Sequence, residues 1–216
     1  MYSCTEQGRT FFFKHCPPSY LEADYRFPLL YREILAYNAD VLCLQEVDTT
    51  NYQSYLKPLL GEAAGYDSFH LPKLLVEPPT EPNAPLPKEF PRKAEGVAIF
   101  FKRDRFKLVN KLTVDSIINE AEVKYEDLAA QIEHIASSGD LDPGHMYRCR
   151  SQGLLACALE TLRTPQPHRL VVACTHFFFH PDAYKLRCVQ SAFTRRRLAE
   201  FATENATAES DSSGNM

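Results

Sequence analysis

The sequence predicts an α/β domain in which sheets are covered by helices. Three observations carry this. Short apolar runs of strand length recur along the chain, segments with helical spacing lie between them, and the 216 residues are 44% hydrophobic and 12% aromatic. That length and apolar share suit one sizeable core and one domain.

In chain order, Pro28 suits the first turn of a helix running to Tyr37, with Leu30, Ile34 and Tyr37 on one face. The run at 41–45 (VLCLQ) reads as a strand buried on both faces. A helix over 52–60 closes at Gly61, and 66–70 (YDSFH) reads as a strand. Residues 76–91, VEPPTEPNAPLPKEFP, hold six prolines and predict an irregular insertion loop. GVAIFFKRDRFKLV, with strands at 96–101 and 106–109, predicts an antiparallel hairpin and hence a mixed sheet. A helix at about 122–136 places Leu128, Ile132 and Ile135 on one stripe and stops at Ser137-Ser138-Gly139. Strands at 153–159 and 169–175 follow, then a helix from Ala183 to about Phe201 with Leu186, Val189, Phe193 and Phe201 among basic residues. Residues 203–216 are polar and acidic and predict a disordered tail, which leaves 1–202 as the domain.

Composition narrows the function. A net charge of −4 does not announce a nucleic-acid binder, so any polyanion must meet a local basic patch. No apolar run approaches the ~18 residues of a membrane span. The N-terminal stretch shows neither a signal-peptide apolar region nor an amphipathic presequence, so no targeting segment is visible. Seven cysteines without a CxxC pair suggest a reducing compartment, no disulfide framework and no zinc site. Cys43, Cys157 and Cys174 sit in apolar runs, where a free cysteine behaves as a small buried hydrophobe.

Three stretches carry chemistry. In ADVLCLQEVD, Gln45, Glu46 and Asp48 arrive where a buried strand should leave its sheet, which is where α/β folds place ligands. A carboxylate there suits Mg²⁺, which takes one or two protein oxygens and completes its shell with water and phosphate; a solvated strand end is the alternative. In VVACTHFFFHPDAYKLRCVQ a second buried strand ends at Thr175, His176, His180 and Asp182. Imidazoles there can donate to a phosphate, and a structural pair or an HxxxH zinc site stay open. The third is the basic material at 88–107, including Lys102, Arg103 and Arg105, which is an RNA patch or a solvated surface. Lys73 sits where a strand enters the proline loop and could reach a phosphate.

LQEVD, EGVAIFFKRDRFKLV and THFFFHPDAYKLRCVQ, in that order and spacing, resemble the endonuclease/exonuclease/phosphatase superfamily. HCPPSYLEADYRFPLLYREILAYNADVLCLQEVD resembles its deadenylase branch, which holds the carbon catabolite repressor deadenylases, nocturnin and, as the nearest likeness, the mitochondrial 2′,5′-phosphodiesterases. The resemblance covers about residues 13 to 200.

It implies a sandwich of two sheets flanked by helices, incomplete here at both ends, and a Mg²⁺-dependent 3′-to-5′ exoribonuclease or phosphodiesterase acting on poly(A) or 2′,5′-oligoadenylate. On that likeness Glu46 is the metal ligand, His176 is the catalytic histidine beside the scissile phosphate, and Lys73 and His180 contact substrate phosphate. A monomer, mitochondrial or cytoplasmic, is expected, with RNA and no membrane as partner. The family also carries an early Asn ligand, a Gly-Asp-Phe-Asn motif and a Ser-Asp-His motif, and this sequence contains none of the three. The alternative expectation is therefore a truncated, catalytically inactive fragment that at most binds RNA or a partner.

Overall fold

The computed structural model describes residues 13–76, 92–139 and 141–206. Among these residues six strands form two three-stranded sheets, β1-β3-β2 and β4-β5-β6 in spatial order. They span Val41–Asp48 (β1), Tyr66–Leu74 (β2), Arg92–Lys102 (β3), Phe106–Val114 (β4), Leu154–Thr161 (β5) and Arg169–Thr175 (β6). All six expected strands are present, most of them longer than expected. Every pairing is antiparallel, so the expected mixed sheet is corrected.

The sheets pack face to face. Leu71, Val97, Ile99 and Phe101 of the first meet Leu155, Cys157, Leu159 and Cys174 of the second. Side chains alternate across a strand, so Ala98 and Phe100 point the other way, under Tyr52, Leu60 and Tyr66. Helices cover that outer face: Ala23–Tyr37 (α1) and the π-helical Tyr52–Ala63 (α2). The second sheet is covered by Ile117–Lys124 (α3), Glu126–Ser137 (α4), Pro143–Arg148 (α5) and the long Tyr184–Ala206 (α6). The result is a two-sheet sandwich flanked by helices.

The expected β3–β4 hairpin does not form. A central strand has two neighbours, and those of β3 are β1 and β2, so β4 has no edge left to pair with. The turn after Lys102 instead carries the chain from one sheet to the other, with Arg103 N–H bonded to Gly65 O and Leu162 N–H to Arg105 O. Pro28 lies inside α1 rather than in its first turn. The single helix expected over 122–136 is two, broken at Tyr125, whose backbone is extended at φ −131°. Its hydroxyl donates to Glu200 Oε1 at 2.6 Å and its ring meets the edge of Phe193, contacts that outweigh helical continuity. Leu128, Ile132 and Ile135 are buried as the stripe required. Helix α6 continues to Ala206, so 203–206 are helical where a disordered tail was expected, and the rest of that tail lies outside the described residues. So does the proline-rich stretch from 77 to 91.

Gly96 is the most tightly enclosed of the described glycines. It pairs with Val47 on one side and Pro72 on the other, beside a register shift in each ladder. A Cβ there would lie 2.1 Å from Leu71 O and 2.6 Å from Pro72 Cα, both backbone atoms. Gly96→Ala is expected to cost about 2–3 kcal/mol, the upper range for overpacking, read as a lower urea midpoint with an unchanged slope.

Candidate active site

The irregularity beside Gly96 shapes the end of β1. Gln45 pairs with Val97 and Val47 with Gly96, so Glu46 is the extra residue of a β-bulge. It takes φ 56°, the left-handed region that glycine normally fills. Neighbouring bonds hold it there. Gln45 Nε2 donates to Thr175 O at 3.2 Å, and His70 Nε2 donates to Val47 O at 3.0 Å while stacking on Tyr52. Asp48 caps the helical turn that follows, accepting from Thr50 N and Asn51 N. Two of the three polar side chains noticed in the sequence are thus structural, and Glu46 is left exposed at the strand end.

Lys73, near the end of β2, is 9% exposed, unusual for an ammonium, and its partners explain it. Nζ lies 3.2 Å from Glu95 Oε1 on β3 and 3.3 Å from His176 Nδ1, just after β6. A lysine ammonium has no acceptor, so Nδ1 of His176 must accept and the neutral ring carries its proton on Nε2. Burial first, then the Lys73 charge, hold the His176 pKa below its ordinary value, while Glu46 and Glu95 pull it upward. Four strands therefore deliver Glu46, Lys73, Glu95 and His176 to one end of the sandwich. Gln190, buried in α6, secures the following loop by accepting from Phe178 N at 3.1 Å.

His180 is oriented differently. Its ring lies 3.9 Å from that of His145, tilted by 35°, and its Nδ1 accepts from Asp182 N, so its observed partners are not Lys73 or His176. The basic turn is also remote. β1 pairs with β3 from Val41–Phe101 at one end to Asp48–Glu95 at the other, about 20 Å apart over six residues. Lys102, Arg103 and Arg105 lie at the first end. Lys102 Nζ donates to Asn38 O at 2.9 Å, Arg103 donates to Gly61 O at 2.7 Å, and Arg105 Nε is 3.9 Å from Asp40. They tie strand ends together, so the basic turn is not part of this site.

Glu95 and His70 were missed as site components. Glu95 looked like one more charge in a basic stretch, and His70 like part of an ordinary strand. Only Glu95-Gly96 at the head of an apolar run hinted at a close approach there.

A sequence model of the Endonuclease/Exonuclease/phosphatase family matches residues 18–175. The chain belongs to that family. It is 29% identical over 192 residues to 2′,5′-phosphodiesterase 12 of Homo sapiens, covering 88% of this chain and 27% of that protein. It is 26% identical over 202 residues to the CCR4-Not complex 3′-5′-exoribonuclease subunit Ccr4 of Schizosaccharomyces pombe, covering 93% and 26%. Among solved structures it resembles ANGEL2, a 2′,3′-cyclic phosphatase, with TM-score 0.61 and 25% identity over 88% of this chain and 42% of that one. The human nocturnin catalytic domain gives 0.56 and 25% over 88% and 55%. The chain thus spans about a quarter of the length of these curated relatives.

Two outcomes test this geometry. Lys73→Met removes the cation beside His176 and leaves both carboxylates, so the imidazole should titrate at higher pH, read from its Cε1–H NMR shift. An unchanged titration would dissociate Lys73 from His176. Glu46→Gly relieves the left-handed backbone and should stabilise the fold by about 0.5–1 kcal/mol in urea unfolding, although it removes the site's exposed carboxylate.

Proposed function

We propose that this chain supplies the Glu46–His176 side of a Mg²⁺-dependent phosphodiesterase centre acting from the 3′ end of RNA, on poly(A) or 2′,5′-linked oligoadenylate. The observation that carries this is the convergence of Glu46, Lys73, Glu95 and His176 at one end of a family sandwich. The names of the two curated relatives, a 2′,5′-phosphodiesterase and a 3′-5′-exoribonuclease, support the reaction class.

The donor set fits Mg²⁺ as a site that substrate helps to build. Glu46 is an exposed hard-oxygen ligand, and Glu95 is held by Lys73. One or two carboxylates suffice when water and phosphate oxygens complete the shell. Bound there, the ion would polarise the phosphoryl oxygen and offset developing charge. The protein's own part is electrostatic. Lys73 places a buried positive charge beside the phosphate, and it orients His176 so that Nε2–H can donate to a phosphate oxygen.

A second reading is favoured by what else is needed. Among the described residues, no group of three or more His, Cys, Asp or Glu gathers to hold a metal, and the sequence has neither Gly-Asp-Phe-Asn nor Ser-Asp-His to orient an attacking water. On that reading the 216-residue chain alone binds oligoadenylate without cutting it.

Oligoadenylate binding and degradation, with Mg²⁺ against EDTA, test both on chain shown to be folded by circular dichroism. Stepwise shortening that Glu46→Ala abolishes, and that His176→Ala slows by about 10²–10³-fold, supports the enzyme. Binding that Mg²⁺ strengthens only when Glu46 is present, without shortening, supports the inactive module. Oligoadenylate binding indifferent to both Mg²⁺ and Glu46 refutes the site.

A further inference from the structure

We propose that Cys43 and Cys174 form a redox modification site, a dithiol that a small disulfide of the glutathione class converts into an intramolecular disulfide joining β1 to β6. The inference is independent of the phosphodiesterase reading. β1 and β6 belong to different sheets, yet side chains of each reach backbone carbonyls of the other. Cys43 Sγ approaches Ala173 O at 3.8 Å, and Cys174 Sγ approaches Leu44 O at 3.5 Å. Each thiol thus sits against the residue next to the other cysteine. Gln45 and Thr175 continue the same seam one step further along.

The two thiols differ in the way a reactive pair requires. Cys43 lies on the exposed edge of its sheet, contrary to the burial expected of it, whereas Cys174 is 2% exposed. The Cys174 thiol beside it lowers the Cys43 pKa to about 7 against the opposing effect of burial, while the same contact and burial raise that of Cys174. Thiolate is the attacking species and needs access. Cys43 thiolate attacks one sulfur of oxidised glutathione, forming a mixed disulfide and releasing one glutathione. Cys174 then gives up its proton and attacks Cys43 Sγ, expelling the second glutathione. The protein loses two electrons and two protons, and the oxidant leaves as two thiols. The bond would tie the strand of Glu46, three residues beyond Cys43, to that of His176, two beyond Cys174.

The test treats the reduced chain with oxidised glutathione, blocks the remaining thiols, and reads intact mass, peptide map and thermal melting. Expected are the loss of two hydrogens, a Cys43–Cys174 linked peptide, and a melting temperature raised by about 5–10 °C for a cross-link closing so long a loop, all reversed by dithiothreitol. Cys43→Ser, at an exposed position, should abolish all three. Cys174→Ala should leave Cys43 carrying one glutathione. Glutathione retained on Cys43 of the unaltered protein, an unmodified Cys43, or a link to the buried Cys157 on β5 would each overturn the assignment.

Discussion

The candidate site depends on the close backbone approach at Gly96. β3 is the centre of its sheet and must accept β1 and β2 on either edge while both neighbours change register. A side chain at that point would enter the backbone of Leu71 and Pro72. On the other edge of β3, where Val47 pairs with Gly96, β1 accommodates an extra residue and turns it into a left-handed conformation. That residue is Glu46. A carboxylate held against ordinary backbone preference, at the end of a strand and near a half-buried histidine, is strain of the kind that clusters at functional sites.

From that point the electrostatics follow from packing. Sheet-on-sheet burial removes water from the Lys73 side chain, and an ammonium so placed requires compensation. Glu95 supplies the charge and His176 the second acceptor. The same contact gives the imidazole one tautomer and disfavours its protonation. Lys73, Glu95 and His176 are therefore one unit, and Glu46 acts on it through space. The local chemistry explains how this unit holds together.

A noncovalent seam runs between β1 and β6. Neither strand hydrogen-bonds to the other as a ladder, so Gln45, Cys43 and Cys174 provide the direct links between the strand of Glu46 and the strand of His176. The far end of the sandwich is organised by the opposite logic. There, Lys102, Arg103 and Arg105 spend their donors on backbone carbonyls and aspartates that bind strand ends together.

Local pattern alone determined which segments are strands, because runs such as VLCLQ, GVAIFF and GLLACAL are too short and too apolar for exposed helices. It also marked the stripe of Leu128, Ile132 and Ile135 and the polar groups at the ends of β1 and β6. Only tertiary structure decided what those groups do. Gln45, Glu46 and Asp48 are neighbours in sequence, yet one ties the sheets, one is forced into a bulge and one caps a helix. The partition of β3 and β4 between two sheets, the break at Tyr125 and the pairing of Lys73 with His176 depend on contacts distant in sequence. Their energies come from burial and from edges already occupied, which no local spacing records.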